Sequence, residues 1–402
     1  MMPVSRRIIH LAPGDLRHIL QLMRRGEVFD GHCIARFEEE FARYVGTGHA
    51  VAAATGRLGL KLLLEAYDLE PGGKVILPAY EDLSVPRVIR DLGLEPLCVD
   101  IDPATYNISV SEVEKHLDEH TVAIIATHLF GNPCDISRIA DLAAERGIPV
   151  IEDCAHAVGT TIDGRHAGTF GDAAFFSFHT TKPFMTFGGC MVTTDDDTVA
   201  GRVREGVASL PFPAGLSFQK RFLSAIGMHV LTRRGIFAWA LYPWLRLWSL
   251  CGADPVRVYN RTIRRGVKIR DVETRYTNLQ ASIGLRHLAQ VDDALRCRRR
   301  NVAVLDSLLA GKVQCPALHT GSNGYFYIIM AEDAELIRRQ LLARGIDTGM
   351  NLMRNISLQT ENDERCPNTA TAIARSIQIP VYETLSEKDM QAIARAVLSV
   401  VK

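Results

Sequence analysis

One lysine stands out by its surroundings. Phe175-Phe176-Ser177-Phe178-His179-Thr180-Thr181-Lys182 runs from an apolar stretch into a short polar one, and Gly188-Gly189 follow. Lysine becomes a nucleophile when its pKa is lowered, and it forms Schiff bases with carbonyls. Taken alone, a loop lysine is a solvated surface group. Upstream, Val150-Ile151-Glu152-Asp153-Cys154-Ala155-His156 ends an apolar run in two acids and a histidine. A carboxylate there can hold a proton on a heteroaromatic nitrogen. It is costly to bury unless a cation partners it, and taken alone it is a solvated strand end. Thr55-Gly56-Arg57 joins a third apolar run to an amphipathic stretch. A helix N-terminus offers unpaired N–H groups and partial positive charge, hence a phosphate site. Gly56 lets a backbone approach closely; the plainer reading is a strand-to-helix turn.

These residues need a scaffold, and the pattern between residues 51 and 194 supplies one. Short apolar runs at 51–54, 75–77, 97–101, 123–128, 149–153, 173–178 and 189–194 alternate with amphipathic stretches at 58–67, 111–118 and 136–146. This alternation predicts an α/β fold with a mostly parallel sheet, in which ligands sit at the carboxyl ends of strands. A helical pattern runs from Glu273 to about Leu309. Strands at 324–330 and 376–380 then mix with helices at 334–344 and 387–400, as in a smaller α+β domain.

Composition bounds the rest. The chain has 402 residues, 47% hydrophobic and 23% charged, enough for a large core without disulfides or metals. Lys plus Arg number 46 and Asp plus Glu 46, a zero net charge that argues against a dedicated nucleic-acid binder. The nine cysteines show no CxxC spacing, so no metal site is expected. Their odd number and the lack of a secretory signal pattern fit a cytoplasmic protein.

Together the phosphate turn, strand-end aspartate, serine and loop lysine, in that order, resemble the DegT/StrS group of PLP-dependent sugar aminotransferases. The resemblance is carried by residues 37–56 (FEEEFARYVGTGHAVAAATG), 71–80, 99–108, 128–136, 151–160, 168–182 (GTFGDAAFFSFHTTK), 275–288 and 366–386. It implies a PLP-dependent transferase of fold type I. Such a fold has a large domain with a seven-stranded sheet and a smaller C-terminal domain. The expected division is an N-terminal helical arm at 1–30, a large domain at 31–270 with an insertion at about 205–270, and the remainder at 271–402. The resemblance gives pyridoxal 5'-phosphate as cofactor, with Lys182 as covalent anchor and proton shuttle. Asp153 would pair with the ring nitrogen and strengthen the electron sink. Thr55, Gly56, Arg57 and Ser177 would hold the phosphate, and His156 would lie by the ring hydroxyl. It implies a homodimer that moves an amino group from glutamate or glutamine to a keto sugar, with a nucleotide-linked sugar expected. Lys182 favours transamination, because a related set of dehydratases carries histidine there. Two other readings stay open: dehydration or elimination on the same fold, and a non-catalytic membrane-associated scaffold.

The sequence departs from the group at several positions. Arg57 replaces a threonine. Asp82 stands where an aromatic residue stacks on the ring, leaving Tyr80 or Leu83 to support it. Glu273 replaces an asparagine that reaches the phosphate from the neighbouring subunit, and needs Arg57 or Arg275 between itself and that phosphate. Asn351-Leu352 replaces a His-Tyr pair. The insertion is a further departure. All three tryptophans (Trp239, Trp244, Trp248) lie within ten residues. From Phe218 to Arg270 eleven Lys/Arg face the single acid Asp254, a net +10. The apolar run from Ile236 to Leu250 is about 23 Å long as a helix, too short to span a bilayer. Two fates are open to it: peripheral contact with an anionic membrane through residues 218–270, or a packed hairpin at a dimer interface.

Overall fold

The computed structural model describes residues 2–9, 11–251, 273–350, 353–357 and 366–401. The Asn351-Leu352 departure and most of the basic stretch after Cys251 lie outside the described residues.

Seven strands form one sheet: β1 (His49–Ala53), β2 (Lys74–Pro78), β3 (Glu95–Val99), β4 (Thr121–Thr127), β5 (Val150–Asp153), β6 (Ala173–Ser177) and β7 (Cys190–Thr194). Each begins and ends within two residues of its apolar run. The order is β1-β7-β6-β5-β4-β2-β3. Pairings from β6 through β3 are parallel, while β7 runs antiparallel to both neighbours. The carboxyl ends of β1, β5 and β6 therefore lie along one edge, although the residues that follow them are far apart in sequence.

Both sheet faces are buried, because side chains alternate along each strand. Val51 and Ala53 of β1 and Phe175 of β6 face Leu60, Leu63 and Leu64 of the helix Gly56–Ala66. Ala50, Ala52 and Phe176 face Phe37 and Phe41 of the helix Cys33–Val45. That second face is an aromatic stack, with Phe41 set edge-on to Phe176 at 5.1 Å and to Phe178 at 5.3 Å. Phe178, the first residue beyond β6, is thus locked in place, and the lysine-bearing loop starts from a fixed point.

In the smaller domain, Tyr327–Met330 pairs antiparallel with Ser376–Ile379. Helices Val291–Leu309, Ala334–Ala343 and Glu387–Leu398 cover the pair. The N-terminal arm does more than form its helix Asp15–Arg25. Val4 enters this small-domain core, its N–H donating to Gly345 (2.8 Å) and its carbonyl accepting from Asp347 (2.9 Å).

One expectation changes. The single helix expected from Glu273 to Leu309 is two, Asn278–Leu288 and Val291–Leu309. The first opens on a Thr277–Gln280 capping box. Its Leu279 and Ile283 pack with Ile19 and Met185, whereas Leu305 and Leu309 enter the small-domain core. One helix cannot aim the same stripe at two cores, so the chain breaks at Ala289-Gln290. Pro243, within the apolar run from Ile236 to Leu250, does not end the helix. A π turn over Phe237–Leu241 precedes it, and the proline starts the next turn, where its missing N–H matters least.

Candidate active site

Strand register builds the site. Ala53, Cys190 and Ser177 stand side by side across β1, β7 and β6, and Phe175, Asp153 and Thr127 across β6, β5 and β4. Just past Ala53 the chain turns through Thr55-Gly56 into a helix. The Thr55 hydroxyl caps that helix by accepting from the Leu58 N–H (3.2 Å). A β-carbon on Gly56 would lie 3.6 Å from that of Ser177, so the turn and the serine adjoin. Neither the Ser177 hydroxyl nor the Arg57 guanidinium has a side-chain partner among the described residues. The helix N-terminus and the serine hydroxyl adjoin there, with Arg57 the next residue of the turn, a donor set suited to phosphate.

Lys182 leaves Phe178 through a tight loop. Its N–H donates to the His179 carbonyl (2.9 Å), and Gly188 and Thr186 both return hydrogen bonds to the Phe178 carbonyl. Gly189, at φ +121°, is required there: a β-carbon would lie 2.2 Å from the Tyr276 ring. The Lys182 ammonium makes no ion pair among the described residues, and its Nζ lies 5.6 Å from the centre of the Tyr325 ring. Burial brings the lysine down to about 8, against the pull of the Asp153, Asp82 and Glu81 carboxylates. Roughly a tenth is therefore free amine at neutral pH, far more than for an ordinary lysine.

Asp153 ends β5, buried. One oxygen accepts from the Ala155 N–H (2.8 Å) and the other has no partner among the described residues. Burial raises its pKa to about 6, against the Ala155 N–H and the Lys182 charge. A buried carboxylate with one open oxygen suits a protonated ring nitrogen. His156 is also buried. Its Nδ1 accepts from the Phe130 N–H (3.2 Å), and Asn323 of the small domain donates to its carbonyl (2.7 Å). Burial, with the Lys182 charge in support, holds the ring well below its ordinary pKa, so it is neutral. With Nδ1 accepting, the Nε2–H is left to donate.

The fold thus brings together Thr55, Gly56, Arg57, Asp153, His156, Ser177 and Lys182. Tyr80 sits one layer back. Its ring is buried, edge-on to Tyr106 (6.3 Å) and Phe130 (5.8 Å), and Phe130 in turn lies nearly parallel to His156. Asp82 turns away to the next helix, where Oδ1 accepts from the Ser84 N–H (2.9 Å) and hydroxyl (2.6 Å). Glu273 is neutralised by Lys61 (2.8 Å) and not by Arg275, whose guanidinium donates to the Leu210 and Ala208 carbonyls.

Sequence reasoning missed Glu81, Asn323 and Tyr325. Glu81 is wholly buried, accepting from the Asp82 N–H (2.7 Å) and bonded to the Thr127 hydroxyl. Burial lifts its pKa well above the usual carboxylate range, and the Asp153 charge adds to the shift. An acid directly after the buried Pro78-Ala79-Tyr80 run was the available signal. Asn323 and Tyr325 come from a segment with no motif, so only folding places them here. The fold also gathers His128, Glu152 and Cys154, with ligand atoms within 4.8 Å of one another. Glu152 there accepts from His128 (2.8 Å) and from the Gly168, Phe170 and Gly171 N–H groups. Those bonds tie the 168–171 turn to β5 and fill the carboxylate.

Known proteins share the sequence pattern and the fold. The sequence profile of the DegT/DnrJ/EryC1/StrS aminotransferase family matches residues 11–398. A GDP-perosamine synthase of Caulobacter vibrioides is 33% identical over 280 residues, 70% of this chain and 62% of its own length. So the match spans less than two thirds of that relative. Another GDP-perosamine synthase, from Vibrio cholerae, is 28% identical over 89% of this chain and 81% of its own. Among solved structures, DesI in the presence of its TDP-sugar product superposes with a TM-score of 0.75 at 25% identity. That superposition covers 99% of this chain and 93% of DesI.

Proposed function

The chain belongs to the DegT/DnrJ/EryC1/StrS aminotransferase family, and on that premise we propose that it transfers an amino group to the keto carbon of a nucleoside-diphosphate sugar. The donor we assign is glutamate or glutamine, the cofactor pyridoxal 5'-phosphate, and the setting the synthesis of surface polysaccharide or a secondary metabolite. The observation that carries the reading is an ammonium without an ion pair among the described residues, Lys182, held near a half-open buried carboxylate, Asp153, on the sheet edge where the Thr55-Gly56 turn adjoins Ser177. The names of the relatives support a nucleotide-linked acceptor, GDP-linked in two and TDP-linked in the third.

The residues divide the work. The Thr55-Gly56-Arg57 turn and Ser177 would hold the phosphate. Asp153 would keep the ring nitrogen protonated, and His156 would offer its Nε2–H to the ring oxygen. When bound, the cofactor supplies an electron sink for the carbanion formed at the donor's α-carbon. Lys182 would anchor it and would carry the proton removed from the donor's α-carbon. Its lowered pKa suits this shuttle, because the amine must be free to accept. Two half-reactions on one cofactor give ping-pong kinetics.

We also assign a homodimer. In support, Leu16, Leu20 and Met23 line one exposed face of the helix Asp15–Arg25 at helical spacing. Light scattering measures this directly.

The decisive experiment is a visible spectrum of protein reconstituted with pyridoxal 5'-phosphate, before and after glutamate, followed by product analysis with GDP- and TDP-linked keto sugars. A lysine-bound absorbance that shifts with the donor, then returns as an aminated sugar appears, is the expected result. Ammonia release without an aminated sugar would replace transfer by elimination, and no spectral change with any donor would leave a scaffold.

A further inference from the structure

The helix over residues 234–250 presents its apolar side to solvent. Ile236, Trp239, Ala240, Pro243, Trp244, Leu247, Trp248 and Leu250 are all exposed, spaced three or four apart along one face. Trp239 is 84% exposed, Trp244 62% and Leu250 73%. A surface helix of a globular protein carries the reverse pattern, and tryptophan has among the largest apolar surfaces to lose to water. The helix is nonetheless firmly mounted. Arg234 forms a two-point ion pair with Asp389 (2.9 Å on one arm), and the Tyr242 hydroxyl donates to the Leu342 carbonyl (2.9 Å). Phe237 is buried against the preceding helix, Gly215–Thr232. The scaffold therefore holds this face outward.

Charge decides what can cover it. Residues 215–250 contain Lys220, Arg221, Arg233, Arg234 and Arg246 and no Asp or Glu, and although Asp389 takes up the charge of Arg234 the segment stays positive. A second copy meeting this face across a two-fold axis would set that all-positive segment against itself. An anionic bilayer surface meets it with opposite charge, and its headgroup boundary is where tryptophan rings sit well. No described helix is long and apolar enough to cross a membrane, so the helix would lie in the plane of the interface.

We propose that the exposed face of residues 236–250 is a membrane-docking surface for anionic phospholipid, holding the enzyme at a bilayer with Trp239, Trp244 and Trp248 in the headgroup boundary. Docking is independent of the chemistry at Lys182, so either can fail without the other.

The protein's only tryptophans are on this face, so its tryptophan emission, excited selectively, reports on nothing else. The test titrates the full-length protein with vesicles of phosphatidylglycerol and phosphatidylcholine, and separately with phosphatidylcholine alone, while following emission and co-sedimentation. With the anionic vesicles the emission should move to the blue and be quenched by brominated acyl chains, and the protein should pellet. Binding should weaken as salt rises from about 0.1 to 0.5 M. The double variant Trp239→Ser/Trp244→Ser, with circular dichroism like the parent's, should bind about tenfold more weakly or worse. Unchanged emission with protein left in the supernatant overturns the proposal, as does a variant that pellets like the parent. A lipid-free blue shift that grows with protein concentration, alongside a doubling of mass that the double variant abolishes, also overturns it and assigns the face to a second copy.

Discussion

Around Lys182 the fold takes charged groups out of water, while on the helix at 234–250 it puts tryptophans into it. Each place departs from ordinary burial, and each is propped by conventional structure. The pocket rests on a sheet whose two faces are packed with Leu, Val and Phe. The tryptophan helix is pinned by Arg234–Asp389 and Tyr242–Leu342. The costs differ in kind. Burying Lys182, Asp153 and Glu81 moves their pKa values toward neutrality, and that shift is itself what proton transfer uses. Exposing Trp239 shifts no proton; its cost is recovered only when something apolar covers it. The first departure is completed within the chain and its cofactor, and the second requires a partner.

Substitutions in the pocket should have the largest effects. Lys182→Ala removes the anchor and the proton carrier together, and amino transfer should fall by about 10⁴-fold or more, measured as aminated product per enzyme. Asp153→Asn should cost about 10²–10³-fold. It also sharpens the account of the lysine. Free amine is what attacks the cofactor aldehyde, so attachment of pyridoxal 5'-phosphate to the apoprotein should speed up as pH rises through about 8. Asp153 is among the groups holding the lysine proton on, so in Asp153→Asn the same profile should move to lower pH. An unmoved profile would uncouple the two residues.

Glu81 gives a smaller effect, read as stability. Its folded pKa is raised, so its contribution is complete below the unfolded value of about 4.5 and is lost as pH rises through the folded value. Glu81→Gln does not titrate, so its melting temperature should gain on the parent's as pH rises above that range. Glu81→Ala should instead lose about 1–3 kcal/mol, because the Asp82 N–H and Thr127 hydroxyl lose their partner. Smallest of all, Trp239→Ser should leave stability within about 0.5 kcal/mol and amino transfer unchanged, checked by denaturant melts and product assay in lipid-free buffer. A large loss there would mean that the helix is part of the core, and the contrast between the two regions would disappear.

The local pattern was legible because it is a property of neighbouring residues. Alternating apolar runs set the seven strands to within two residues. The Thr55-Gly56, Asp153 and Ser177–Lys182 segments carried their chemistry in their types and order, as did the clustered tryptophans and the one-sided charge of the insertion. What the sequence left open depends on which distant residues meet. Strand order set Ser177 beside Gly56 and Asp153 beside Thr127. The small domain sent Asn323 and Tyr325 to His156 and Lys182, and Lys61 neutralised Glu273 from 212 residues away. Only the folded chain settled which side of the 234–250 helix faces outward, because an apolar stripe reads the same whether a core or a solvent boundary lies against it. Periodicity records that a side chain is apolar, and only packing decides what covers it.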